Sequence, residues 1–199
     1  MISVILYDLL TPEFLLEAYK SSYFPMAESE TGEIYMHSPE MRAIFPIYDI
    51  KTPKNIVKLA KKKIFRCTIN YDFGLVIKEC ARRKITWIND VIIESYINLH
   101  KAKHAHSVET WKENEIVGGL YGVSIGGAFF GESMFNKVSD ASKFAFYFLV
   151  EYLRSRGFLL LDSQYINEFT KNLGAIEVPK VIYLKILEKA INLPCSFVD

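Results

Sequence analysis

Cysteine is scarce in this chain. Cys67, Cys80 and Cys195 are the only three; they stand far apart, and none belongs to a C-x-x-C pair. That argues against a disulfide framework or a thiolate zinc site and fits free thiols in a reducing, cytoplasmic compartment. Long apolar runs are missing as well. No window reaches the roughly 18 uninterrupted apolar residues that a membrane span needs, so no membrane association is expected. The apolar stretch Ile2 to Leu10 contains Asp8 and lacks both a basic leader and a small-residue cleavage site. It reads as a buried first strand and not as a signal peptide. H-E-x-x-H and G-x-S-x-G are absent. His100, His104 and His106 are interleaved with Lys101 and Lys103, and no cysteine or aspartate completes a ligand set. A metal centre is therefore not expected. There is no internal repeat, no low-complexity tract and almost no net charge, at +1.

Aromatic and aliphatic residues are abundant. Half of the 199 residues are hydrophobic, with 14 Phe and 12 Tyr, which is enough to build one large domain, or a large one with a small companion. The even charge balance hides one local excess. Lys51, Lys54, Lys58, Lys61, Lys62, Lys63 and Arg66 follow one another with no acidic residue between them.

Thr11-Pro12-Glu13 reads as a helix start, with a hydroxyl cap, a first-turn proline and a carboxylate at the positive end of the dipole. That helix should run to about Lys20. Residues 21–50, with Pro25, Gly32, Pro39 and Pro46, show little periodicity and read as a long irregular segment. Thr52-Pro53 opens a helix to about Lys63 that sets Lys54, Lys58 and Lys61 on one face. A strand over 64–69 follows, then a helix capped at Asn70 and running through Arg83, and another capped by Asn89-Asp90. Strands are expected at 106–112, 116–125 and 128–133, with turns at Glu113-Asn114 and Gly126-Gly127. Ser139-Asp140 should cap a long helix closed by Gly157, before an apolar strand over 158–162. A short helix ending near Gly174 and a last one over 179–191 complete the order. The fold class is thus α+β: a small N-terminal helical domain, residues 1–60, and a GNAT-like acyltransferase domain, residues 61–199, with a mixed, largely antiparallel sheet.

Two places carry candidate chemistry. Glycines at 118, 119 and 122 inside a strand point to a bulge or a ligand close against the backbone, and Glu132 is a carboxylate embedded in an apolar run. The alternative is a glycine-rich hairpin in which backbone amides satisfy Glu132. Asp162 ends a buried strand with Gln164 two residues on, so both face one way, at the kind of strand end where α/β folds place their chemistry. The alternative is an Asp that caps a turn. A coenzyme A pyrophosphate loop, Q/R-x-x-G-x-G/A, finds no match. In Arg154-Ser155-Arg156-Gly157-Phe158-Leu159 a leucine stands where the second small residue belongs, and the segment follows a helix instead of opening one.

The run GGLYGVSIGGAFFGESMF, followed by Ala141-Ser142-Lys143, resembles the core motif of leucyl/phenylalanyl-tRNA–protein transferases. So do Asn70-Tyr71-Asp72-Phe73-Gly74, Thr86-Trp87-Ile88, Ala105 to Glu109, Leu161 to Gln164, Leu173-Gly174-Ala175, Phe24-Pro25 and Ser38 to Ala43, in family order along essentially the whole chain.

The resemblance implies an enzyme with no cofactor, no metal and no coenzyme A. Its donors would be Leu-tRNA and Phe-tRNA, and its acceptors proteins or peptides that begin with Arg or Lys, thereby marked for degradation. Nothing in the sequence demands more than a monomer. By matching position, Gln164 would accept from the attacking amine, Asp162 would orient and polarise it, and Glu132 would lie near the reaction centre and help to hold the cationic acceptor or the aminoacyl amine. Leu120, Phe129 and Met134 would line the aminoacyl side-chain pocket. Trp87 would stack on the terminal adenosine, and Lys54, Lys58 and Lys61 would touch the acceptor stem. Met26 would also face the adenosine, where many members carry a second tryptophan, and Met36-His37 replaces a Trp pair. Two other readings are a non-catalytic RNA-binding module of the same fold and a coenzyme A-dependent acetyltransferase. The acid–amide set argues against the first, and the missing pyrophosphate loop against the second.

Overall fold

The structure is a computed structural model and describes residues 10–83 and 86–198. The strand expected at 2–10 lies outside them except for Leu10, which is buried. The helices are α1 (Pro12–Lys20), α2 (Lys54–Lys61), α3 (Phe73–Ala81), α4 (Asp90–Lys101), α5 (Ala141–Ser155), α6 (Glu168–Asn172) and α7 (Lys180–Ile191). The strands are β1 (Phe24–Ala27), β2 (Ile34–His37), β3 (Met41–Phe45), β4 (Arg66–Ile69), β5 (Ala105–Lys112), β6 (Glu115–Ile125), β7 (Ala128–Asn136), β8 (Leu160–Gln164) and β9 (Ile176–Pro179).

Seven strands form one mixed sheet in the order β4-β5-β6-β7-β8-β3-β9. Every pairing in it is antiparallel except β7 with β8. Parallel neighbours need a crossover, which α5 supplies. One core lies on the face covered by α1, α3, α4 and α7, with Tyr19, Val76, Tyr96, Phe130 and Tyr183. The other lies under α2 and α5, with Phe45, Ile56, Leu120, Phe129, Phe146 and Leu161. This is the mixed, largely antiparallel α+β class expected from the sequence.

Local chemistry explains where elements begin. Thr11 caps α1, its hydroxyl accepting from the Phe14 N–H, and Asn89 caps α4 by accepting from that of Ile92. The helix expected from Asn70 instead starts at Phe73, because Asp72 is the cap, accepting from the Leu75 N–H. Asn70 sits at φ 56° and bonds across to β5, its side-chain oxygen accepting from the Ser107 N–H. Pro53, without a side-chain cap bond, precedes α2, and Asp140 precedes α5 in a left-handed conformation, also without one.

Residues 21–50 are not irregular. They hold β1 and β2, a two-stranded sheet, and β3, which enters the main sheet between β8 and β9. Strands of four or five residues interrupted by prolines are too short to show a period. The strand expected at 158–162 runs at 160–164, and β9 was not anticipated.

The glycines inside β6 answer to packing. A Cβ on Gly118 would stand 2.7 Å from the Ala141 Cβ at the start of α5, and one on Gly122 would stand 2.3 Å from the Phe130 carbonyl oxygen.

Candidate active site

The parallel strands β7 and β8 pair only over Ala128↔Leu160, Phe129↔Leu161 and Phe130↔Asp162. Beyond that point β7 continues along β6 to Asn136, while β8 turns to β3, and a cavity of about 540 Å³ opens where they part. A β-bulge marks each lip. On β7, Gly131 faces Gly122 and Ser133 faces Tyr121, so Glu132 is the extra residue. On β8, Asp162 faces Ile44 and Gln164 faces Ala43, so Ser163 is the extra one. A bulge re-aims a side chain, and here both bulges turn polar groups into the gap.

Glu132 accepts from the Tyr19 hydroxyl (2.6 Å) and the Gln164 side-chain amide (3.1 Å) at Oε1, and from the Tyr96 hydroxyl (3.3 Å) at Oε2. Tyr19 and Tyr96 also share a short hydrogen bond. Loss of hydration raises the Glu132 pKa to about 7, aided by the nearby Asp162 charge; the tyrosine hydrogen bonds and Arg42 oppose the rise. Backbone amides do not satisfy this carboxylate; tyrosine hydroxyls and an amide side chain do.

Asp162 is fully buried and its two oxygens are fully engaged. Arg42 Nε donates to both (3.0 and 3.1 Å) and Arg42 Nη2 to Oδ2 at 2.7 Å. The Tyr183 hydroxyl donates to Oδ2 at 2.5 Å and the Gln164 backbone N–H to Oδ1 at 2.8 Å. Arg42, itself buried, lies between the rings of Phe24 and Tyr183, at 4.6 and 4.7 Å from their centroids. The aspartate pushes the Arg42 pKa up against the effect of burial. Gln164 takes φ 57°, and its backbone bond to Asp162 holds it there. With its amide donated to Glu132, the Gln164 Oε1 remains available as an acceptor.

The cavity reaches both faces of the sheet through the gap. On the α5 side it is apolar, walled by Phe45, Leu120, Met134, Phe146, Leu149 and Leu161. On the other it meets Glu132, Tyr121, Phe24, Met26 and Trp87. The segments that carry Met26 and Trp87 are tied together, the Ala27 N–H donating to the Trp87 carbonyl at 3.1 Å.

The structure therefore brings Asp162, Gln164, Glu132, Leu120, Met134, Trp87 and Met26 to one cavity. Phe129 does not join them. It lies one register further from the bulge than Met134, on the same face of β7, fully buried and stacked at 5.1 Å on Phe197. The expectation that it lines the pocket is corrected: the C-terminal segment covers that stretch of strand. Lys54, Lys58 and Lys61 are exposed on α2, which supplies none of the cavity wall. His106 is also a core residue. It stacks at 4.3 Å on Phe197, and burial lowers its pKa to about 3. Among the described residues no three His, Cys, Asp or Glu gather as metal ligands, and all three cysteines are free.

The sequence reading missed Tyr19, Tyr96, Arg42 and Tyr183, which come from four separate elements. It also missed the apolar wall of Phe45, Phe146, Leu149 and Leu161. Tyr19 and Tyr96 sit at apolar positions of amphipathic helices, where a phenol looks like any core aromatic. Only Arg42, in a short strand between Met41 and Ala43-Ile44-Phe45, left a trace: a charge inside an apolar run needs a partner.

A sheet parted between two parallel strands, with an acid–amide wall beside an apolar lobe, is the GNAT-like fold expected from the sequence. Among solved structures the fold resembles that titled "Crystal structure of FemX", with TM-score 0.58 and 13% identity over 84% of this chain and 66% of that one. The sequence profile for leucyl/phenylalanyl-tRNA protein transferase matches residues 44–188, and that for the N-terminal domain of the same family matches residues 8–40. The leucyl/phenylalanyl-tRNA–protein transferase of Gloeobacter violaceus is 47% identical over 188 residues, covering 94% of this chain and 97% of the relative. That of Chlorobium limicola is 44% identical over 187 residues, covering 92% and 96%. The chain belongs to the leucyl/phenylalanyl-tRNA protein transferase family of aminoacyltransferases. No described helix is long and apolar enough to cross a membrane.

Proposed function

We propose that this enzyme moves leucine or phenylalanine from aminoacyl-tRNA to the α-amine of proteins that begin with Arg or Lys, and so marks them for degradation. The observation that carries the reading is the two-sided cavity. Its apolar lobe, closed by Phe146, Leu149 and Leu161, suits an unbranched-at-β side chain, and it opens beside Gln164 and Glu132, where the ester carbonyl would lie. Aminolysis of an ester is downhill, so the protein has chiefly to align amine and carbonyl and handle one proton. Gln164 Oε1 would accept from the attacking amine. Asp162 would hold Gln164 through its backbone, and Trp87 and Met26 would receive the terminal adenosine. The N-terminal region, residues 1–60, would contribute tRNA contacts, with Lys54, Lys58 and Lys61 of α2 facing acceptor-stem phosphates; the catalytic unit would comprise residues 61–199 together with α1 and β3, which bring Tyr19 and Arg42 to the site. We place the enzyme in the cytoplasm, acting as a monomer without a cofactor.

The test is transfer of labelled leucine or phenylalanine from charged tRNA to peptides beginning with Arg, Lys or Ala. Label on the first two and little on the third is expected. No transfer to any of them from folded protein would overturn the reading.

A further inference from the structure

Asp162 and Glu132 both border the cavity, and they differ in what they can still accept. Asp162 receives Arg42, Tyr183 and the Gln164 N–H on its two buried oxygens and is neutralised by the guanidinium. A proton arriving there would break a buried ion pair, which is strongly unfavourable. Glu132 holds two donors on Oε1 and only Tyr96 on Oε2.

The donors are phenols, and each has a single proton. Burial keeps Tyr19 and Tyr96 neutral. With Glu132 ionised, the Tyr19 proton goes to Oε1 and Tyr96 can give its proton to Oε2 or to the Tyr19 oxygen. With Glu132 protonated on Oε2, the three groups close a ring. Oε2–H donates to Tyr96, Tyr96 donates to Tyr19, and Tyr19 donates to Oε1. Every donor then has an acceptor. The cluster holds one proton more or less without stranding a buried polar group, which would cost about 1–3 kcal/mol. The groups that face Glu132 are Tyr19 from α1, Tyr96 from α4, Tyr121 from β6, Arg42 from β3, and Asp162 and Gln164 from β8. The fully buried Tyr121 hydroxyl has no hydrogen-bond partner among the described residues and also borders the cavity.

We propose that Glu132 is the proton acceptor of the transfer reaction, that Tyr19 and Tyr96 are the residues that position it, and that Asp162 is an anchor which never carries the proton. The proposal rests on the aminoacyl-transfer reading. As the amine nitrogen bonds to the ester carbonyl carbon, one of its hydrogens stays hydrogen-bonded to Gln164 Oε1 and the other passes as a proton to Oε2 of Glu132. The C–O bond to the ribose then breaks, its electron pair stays on the ribose oxygen, and Glu132 returns the proton there. Amide and free hydroxyl are the only products, and no other reactant is needed.

The experiment is a pH profile of kcat, with saturating Leu-tRNA and an acceptor peptide whose terminal amine is replaced by an aminooxy group, a nucleophile that stays unprotonated well below the pKa of an α-amine. The enzyme should lose rate tenfold per pH unit below about 7, in step with the carboxylate. Tyr19→Phe and Tyr96→Phe each remove a donor that favours the charged form. The limb should therefore move to higher pH, by about one unit. Glu132→Gln should be slow and flat, and Asp162→Asn, which removes a charge that helps to raise the Glu132 pKa, should keep the limb and move it to lower pH. A carbon-13 titration of the Glu132 carboxyl should show the same upward shift in the two Phe variants. A limb that ignores the Tyr19 and Tyr96 changes, that survives Glu132→Gln, or that is lost in Asp162→Asn, whatever the level of turnover there, overturns the proton route and leaves the function intact. No transfer from the unsubstituted enzyme overturns both.

Discussion

Arg42 grips Asp162 from the neighbouring strand with two guanidinium nitrogens, both side chains out of contact with solvent. β3 therefore contributes more than a strand to the sheet, because its arginine fixes the carboxylate that fixes Gln164. Removing one partner of a buried pair leaves an uncompensated charge, at about 3–5 kcal/mol. Arg42→Met is expected to lower stability by that amount, and the check is the denaturant midpoint. A loss below about 1 kcal/mol would mean that water reaches Asp162.

Asp162→Asn retains the size of the side chain and removes its charge. The Gln164 N–H loses its ionic acceptor and the residue is freed from its left-handed backbone conformation. Turnover should fall by far more than tRNA affinity, since nothing in α2 or at Trp87 touches Asp162. Equal loss in kcat and in tRNA binding would make the residue a general structural support.

The elements that carry long periods were legible in the sequence. α4, α5, α7 and the β5–β6–β7 run fall close to where apolar spacing and capping residues put them. β1, β2, β3 and β9 were not, since four or five residues cannot display a period and their pairing is set by partners far along the chain. The site divides in the same way. Glu132, Asp162 and Gln164 stood out as polar groups in apolar runs. The phenols that ring Glu132 did not, because Tyr19 and Tyr96 are 77 residues apart and each looks like core alone.

Gly122 separates two explanations of the glycine-rich strand. A Cβ there would meet the Phe130 carbonyl oxygen at 2.3 Å and the Phe129 ring at 2.5 Å, neither able to yield freely in a packed sheet. Gly122→Ala should cost at least the ~1–3 kcal/mol of an overpacked core. Thermal unfolding measures it, and an unchanged midpoint would return the glycine to a ligand-facing role.

Lys54, Lys58 and Lys61 are exposed, and none makes an ion pair with a described residue. Reversing all three to Glu should leave stability almost unchanged, as surface changes do, within about 0.5 kcal/mol. Binding of tRNA should weaken, and the slope of log K against log salt should flatten by about 0.7–0.9 for each phosphate that is no longer neutralised. An unchanged slope would remove α2 from the interface.

Met26 and Trp87 offer the last comparison. Both border the cavity on the side away from the apolar lobe, and the Ala27 N–H to Trp87 carbonyl bond keeps their segments in register. An indole presents a rigid face to a base, worth about 1–3 kcal/mol per stacked base, whereas a thioether packs adaptably and with less order. Trp87→Ala should then raise the KM for aminoacyl-tRNA by about ten- to a hundredfold with kcat little changed, since the stack serves binding before it serves chemistry. Met26→Trp should lower the same KM, because a second rigid face would hold the adenosine from the neighbouring strand. If the two residues grip one base, the gain from Met26→Trp should shrink in a Trp87→Ala background, and the double-mutant cycle should show a coupling of about 0.5 kcal/mol or more. Strict additivity would put the two side chains on different groups of the donor.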